Sequence, residues 1–138
     1  MVSLSGPATT EEKTILLIED DLDTREALDD LLSDAGYEVI PATSGKQAIE
    51  YLLADPDRPP DAVVLDLMLP LVSGWQVLEL IRSDPRLAAV PVIVTTGVSA
   101  DRPPGATVVL KKPIDSASFV GEIDRLTAGV QRQHPASV

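Results

Sequence analysis

The sequence predicts an α/β fold: an open sheet of parallel strands with helices on both faces. Three observations carry this. Short runs of branched apolar residues (TILLIE, AVVL, VIVT, TVVLK) recur along the 138 residues. Runs of this length without alternation read as strands buried on both faces, as in a parallel sheet covered by helices. Amphipathic stretches at helical spacing separate the runs. Finally, a polar residue stands where each run ends: Asp20, Asp66, Thr96 and Lys112. Parallel strands share one carboxyl edge, where ligand sites form. These four side chains are therefore expected to converge, although up to 92 residues separate them.

Taken in order, strand 1 is expected over 14–19 and helix 1 from Asp23 to Ala35, with Leu28, Leu31, Leu32 and Ala35 on one face and Gly36 as C-terminal cap. Strand 2 is short, Glu38 to Pro41. Ser44 caps helix 2, whose apolar stripe is Ala48, Ile49, Leu52 and Leu53. The turn segment DPDRPP leads into strand 3 at 61–65, and helix 3 runs from Gly74 to Ser83, stopping at Asp84-Pro85. Strands 4 and 5 are placed at 91–95 and 106–110, and a last helix follows Asp115, carrying Phe119, Ile123 and Leu126 inward. Only GVSADRPPG (97–105) joins strands 4 and 5. A parallel crossover usually takes about a dozen residues or more, including a helix, and Pro103-Pro104 bars one from running through. The fourth helix of the alternation is expected to be absent or vestigial, at most one turn around Ser99 to Arg102. Residues 1–12 read as a disordered lead-in, 13–130 as one domain and 131–138 as a short tail.

Composition narrows the function. Cysteine is absent, which removes disulfides, thiolate nucleophiles and cysteine metal cages. The net charge of −11 argues against nucleic acid and anionic membranes as partners. No signal peptide and no stretch of ~20 apolar residues is seen, so a cytoplasmic protein is expected. His134, the sole histidine, lies in the tail and offers no Ser/His/Asp triad. No glycine-rich phosphate loop follows strand 1. Trp75 is expected to pack in the core or on the surface rather than bind a ligand.

The chemistry lies at the strand ends. Carboxylates of Glu19, Asp20 and Asp66 gathered at one edge would repel one another, a crowding that a hard divalent cation relieves. Mg2+ suits a few protein oxygens, several waters and a phosphate. An acidic run after a strand often only caps the next helix; the matching Asp66 after strand 3 turns Glu19-Asp20-Asp21 into a cation site. A carboxylate beside such a cation can attack phosphorus, Thr96 can donate its hydroxyl to a phosphate oxygen, and Lys112 can pair with another.

With these residues in order, the sequence resembles the response-regulator receiver family over 13–130: Glu19-Asp20 in TILLIEDD, Asp66 in VVLDLMLP, Pro70 and Gly74 behind it, Thr96 in VIVTTG, and Lys112-Pro113 in LKKPID. The resemblance implies a flavodoxin-like, doubly wound sheet in strand order 2-1-3-4-5. It implies that Asp66 accepts a phosphoryl group from a histidine kinase, a phosphotransfer protein or a small donor such as acetyl phosphate, with Thr96 and Lys112 holding the phosphate. It implies one Mg2+ bound by Asp20, Asp66 and the carbonyl of Met68, with Glu19 reaching it through water, and a cis peptide at Lys112-Pro113. Such a protein is no enzyme beyond its own phosphoryl transfer and slow autodephosphorylation, and it signals through a separate downstream protein. Gly97 leaves an open approach to the site. Two departures stand out: Val109 occupies the position where receivers carry Phe or Tyr, and the fourth helix is missing. Phosphate capture is expected to be intact and the output surface rebuilt. The alternative is a phosphorylation-independent interaction module of receiver shape. An enzymatic reading fares worse, because Leu67-Met68 after Asp66 lacks the Asp-x-Asp of haloacid-dehalogenase phosphatases, and carboxylates stand where a flavodoxin has its hydroxyl-rich loop.

Overall fold

The computed structural model describes residues 12–97 and 102–128. Five parallel strands, β1 (Thr14–Ile18), β2 (Glu38–Ala42), β3 (Ala62–Asp66), β4 (Val92–Thr96) and β5 (Val108–Lys111), form one sheet in the order β2-β1-β3-β4-β5. Four helices accompany them: α1 (Leu22–Asp34), α2 (Gly45–Ala54), α3 (Gly74–Ser83) and α4 (Ser116–Ala128). The expected fold class and strand order are both found.

The central strands β3 and β4 are buried along their whole length, as unbroken apolar runs require when helices cover both sides. Period-two alternation splits the core into two layers. Leu16, Ile18, Val63, Leu65, Val92 and Val94 pack under α2 and α3. Ile15, Leu17, Ala62, Val64 and Ile93 pack under α1 and α4, around Phe119 and Ile123. The expected helix stripes hold at Leu28, Leu32, Ala48 and Leu52, but Ala35 and Leu53 are exposed. Ser44 caps α2, and Asp115 accepts the Ser118 N–H at 2.9 Å at the start of α4.

Gly97 and residues 102–107, flanking the β4–β5 connection, contain no helix. The turn expected around Ser99 to Arg102 falls largely on 98–101, outside the described residues, as do nearly all of the lead-in, the whole tail and His134. The Arg82 guanidinium at the end of α3 packs against the β4–β5 connection at Gly105. It donates to the carbonyls of Gly105 (2.8 Å), Ala88 (2.9 Å) and Val90 (2.7 Å) and to Thr107 Oγ1 (3.2 Å). Thr107 Oγ1 in turn accepts the Val92 N–H at 2.9 Å. One side chain thus ties the α3–β4 connection, through Ala88 and Val90, to the β4–β5 connection, through Gly105 and Thr107, and satisfies carbonyls that irregular backbone leaves without helical partners. Among the described residues no helix is long and apolar enough to cross a membrane.

Candidate phosphoacceptor site

Ion-pair geometry at the carboxyl edge begins with β1 and β3. Glu19 and Asp66 follow Leu17 and Val64 at period-two spacing, and Leu17 pairs with Val64 in register. Both carboxylates are therefore delivered side by side onto the α1/α4 face, and both residues are buried. Asp20, one residue on, is exposed. Oxygens from Glu19, Asp20 and Asp66 all lie within 4.8 Å of one another. Around a Mg2+ with bonds of ~2.1 Å, ligand oxygens sit ~3–4 Å apart, so small side-chain adjustments suffice for the three to share one ion. The donor set fits: hard oxygens only, two of them fixed by strands.

The helix-capping role and the acidic site are divided among neighbours. Asp21 is the N-cap of α1, accepting the Thr24 N–H at 2.9 Å, which leaves Glu19 and Asp20 free of that task. Arg25 donates to the carbonyl of Glu19 at 2.9 Å and fixes the turn between β1 and α1. This brace carries no motif signature; its only trace in the sequence is a basic residue one turn into a helix that starts beside acids.

Lys112 closes the site from the far side of the sheet. Its Nζ lies 3.1 Å from Glu19 Oε1 and 3.3 Å from Asp66 Oδ2. Burial pulls the ammonium pKa down, but the bond to Glu19 and the charges of Asp66 and Glu19 outweigh it and hold it above its usual value. For Glu19 the balance differs. Burial, helped by Asp66, raises its carboxyl pKa against the lowering effects of the Asp21 N–H and Lys112. One ammonium facing three carboxyl groups leaves a formal deficit of two positive charges when all three are ionised, the charge of one divalent cation.

The loop behind Asp66 is clamped. Met68 N–H donates to Asp66 Oδ1 at 3.0 Å, orienting the carboxylate, while the Met68 side chain is exposed. A Cβ on Gly74 would stand 2.5 Å from the carbonyl oxygen of Asp66 and 2.6 Å from Leu67 Cα. Only glycine lets α3 start this close to the end of β3. Leu71, in the same loop, has φ 63° and is almost fully exposed. The Lys112-Pro113 peptide is cis, as expected.

Thr96 closes β4 and is buried, with the Lys112 N–H donating to its carbonyl at 2.7 Å. The alternation gives it the parity of Val94, towards α2 and α3. The β4 residue paired with Asp66 in register is Thr95, which sequence reasoning passed over. The doubled Thr95-Thr96 was the available signal, since period two puts Thr95 on the same face as Ile93 and Asp66. Val109 pairs with Val94 and packs against the α2/α3 layer.

This geometry matches known proteins. The family model for the response regulator receiver domain matches residues 15–124. The chain belongs to this family. Among curated proteins, it is 29% identical over 117 residues to the polar-differentiation response regulator DivK of Brucella ovis, covering 80% of this chain and 93% of that protein. DivK of Brucella anthropi is 31% identical with the same coverage. The signal receiver domain of a histidine kinase from Syntrophus aciditrophicus superposes with a TM-score of 0.79 at 26% identity, covering 88% of this chain and 95% of that one. The receiver domain of a sensor histidine kinase from Pseudomonas aeruginosa, with a magnesium ion in its active site cleft, has the same fold. It gives a TM-score of 0.74 at 23% identity over 86% of this chain and all of that one.

Proposed function

We propose that this receiver is switched by phosphorylation of Asp66 and signals through a separate protein. The observation that carries the reading is the convergence of Glu19, Asp20, Asp66 and Lys112 on one rim of the sheet. An Asp66 carboxylate oxygen attacks phosphorus, and the bond from phosphorus to the donor breaks. Its electron pair leaves with the donor, a phosphohistidine of a kinase or phosphotransfer protein, or acetyl phosphate. The Met68 N–H and Lys112 ammonium hold the acceptor carboxylate, and on transfer Lys112 would bind one phosphoryl oxygen and the Thr96 hydroxyl, turned over the end of β4 from its α2/α3 parity, another. Asp20, Asp66 and the Met68 carbonyl, with Glu19 through water, would hold one Mg2+; the bound ion supplies positive charge that offsets the charge of the transferring group. The chemistry is confined to this self-modification and its slow hydrolysis, so the chain acts on no separate substrate. The acidic surface and the family's role in two-component signalling support a cytoplasmic protein without nucleic-acid or membrane binding.

Acetyl phosphate with Mg2+ should add about 80 Da to the intact mass, and Asp66→Asn should abolish the gain. A wild-type chain that stays unlabelled refutes the reading. Val109, in place of the family's aromatic, favours a second one: a receiver-shaped module that binds its partner regardless of phosphate. Partner affinity unchanged by beryllofluoride and Mg2+ would support it.

A further inference from the structure

Buried polar groups almost always have a hydrogen-bond partner, and an exception calls for a reason. Among the described residues one buried side-chain atom has none: Thr95 Oγ1, on a residue that is 1% exposed. Its place is specific. Thr95 pairs with Asp66 on one side and Leu110 on the other, so its side chain stands on the same face as both. Lys112 follows Leu110 with the same parity and reaches Asp66 and Glu19 from the far edge. Adjacent strands lie ~4.8 Å apart, so β5 and β3 stand ~10 Å apart, a gap that the extended lysine and the Asp66 carboxylate close together. The strand it must cross is β4, and the β4 residue on that face at the level of Asp66 is Thr95.

The ammonium has three N–H donors. Two point to Glu19 Oε1 and Asp66 Oδ2. Resting on the reading of Asp66 as phosphoacceptor, we infer that Thr95 is a positioning residue for Lys112. Its hydroxyl oxygen accepts an ammonium N–H once a phosphoryl group on Asp66 has drawn the lysine off Glu19. A hydroxyl that is orphaned at rest and paired when loaded favours the loaded state, because only an interaction that differs between two states shifts their balance. Valine has nearly the same shape and no hydroxyl. It should relieve the resting protein of the orphan and deprive the loaded one of the bond.

Beryllofluoride, a stand-in for the phosphoryl group, is titrated at saturating Mg2+ with Trp75 fluorescence as the readout. Trp75 adjoins Gly74, which packs on Asp66. Thr95→Val should weaken beryllofluoride binding by about 5- to 10-fold, with a thermal unfolding midpoint no lower than wild type. Thr95→Ser should stay within about twofold. In a Lys112→Met background the Thr95→Val change should have no further effect. The inference is overturned if Thr95→Val binds as tightly as wild type, or if its effect persists without the lysine. A wild-type chain that ignores beryllofluoride would instead overturn the assignment of Asp66, and this inference with it.

Discussion

Two halves of the sheet, the carboxyl ends of β1 and β3 and the amino ends of β4 and β5, are held by opposite means. At β1 and β3, three carboxyl groups crowd together against one ammonium drawn from the opposite end of the sheet. Just before β4 and β5 begin, one guanidinium spreads over three carbonyls and a hydroxyl, all neutral. The first arrangement is under like-charge tension and gains from any cation that enters. The second is complete in itself, so burial merely lowers the Arg82 pKa without a charged partner to oppose it. The contrast separates two tasks. On the proposed function, ligand response belongs to the tense half and the shape of the connections to the satisfied half.

Breaking the satisfied half should have the largest effect on stability. Arg82→Ala removes four hydrogen bonds from a cation, two of them partly buried, and should cost about 2–4 kcal/mol in urea unfolding. The folded fraction should still take phosphoryl groups from acetyl phosphate, because Arg82 touches none of the acidic residues. Loss of labelling beyond the loss of folded protein would show that the two halves are not separate.

Gly74→Ala strikes the tense half through its backbone. The added Cβ would meet the Asp66 carbonyl oxygen at 2.5 Å, so α3 or the end of β3 must shift. A cost of about 1–3 kcal/mol is expected, together with slower labelling. Equal labelling per folded molecule would mean that the acceptor tolerates displacement.

Most of the fold was legible because its signals are local. Unbroken apolar runs marked β1, β3 and β4, and Ser44 and Asp115 marked helix starts. Boundaries moved by a residue or two: β3 runs to Asp66 itself, and β5 begins at Val108 rather than 106. The acidic cluster was legible because parallel strands must end together. The Arg82 clamp was not, since nothing in its neighbourhood distinguishes it from any basic residue in a last helical turn. Its acceptors come from two connections, α3–β4 and β4–β5, whose meeting only the folded chain defines. Thr95 was missed for a different reason: Thr96 fits the motif, whereas the register to Asp66 is a property of strand pairing.

Tyr37→Phe tests a site remote from both halves and should have the smallest effect. The Tyr37 hydroxyl donates to Asp124 Oδ1 and lies 3.0 Å from Thr127 Oγ1, tying the start of β2 to α4. Losing it should cost about 1 kcal/mol. Burial, then the bond to Asp124, raises the phenol above its usual 10.0. A folded pKa above the unfolded one means its contribution is whole below about pH 10 and fades as pH rises through the folded value. The phenylalanine variant should lose less stability over that alkaline window than wild type, as read by urea midpoints at pH 8 and above. Parallel pH profiles would assign the alkaline loss elsewhere.

The tension at β1 and β3 can be read most directly from thermal unfolding with and without Mg2+. With Mg2+ about tenfold above its dissociation constant, wild type should gain about 1.4 kcal/mol, or roughly 5 °C in midpoint. Asp20→Asn, which removes one of the crowded charges, should start higher without Mg2+ and lose most of the response. A wild-type midpoint indifferent to Mg2+, with Asp20→Asn no more stable than wild type, would contradict the claim that these carboxylates form a cation site.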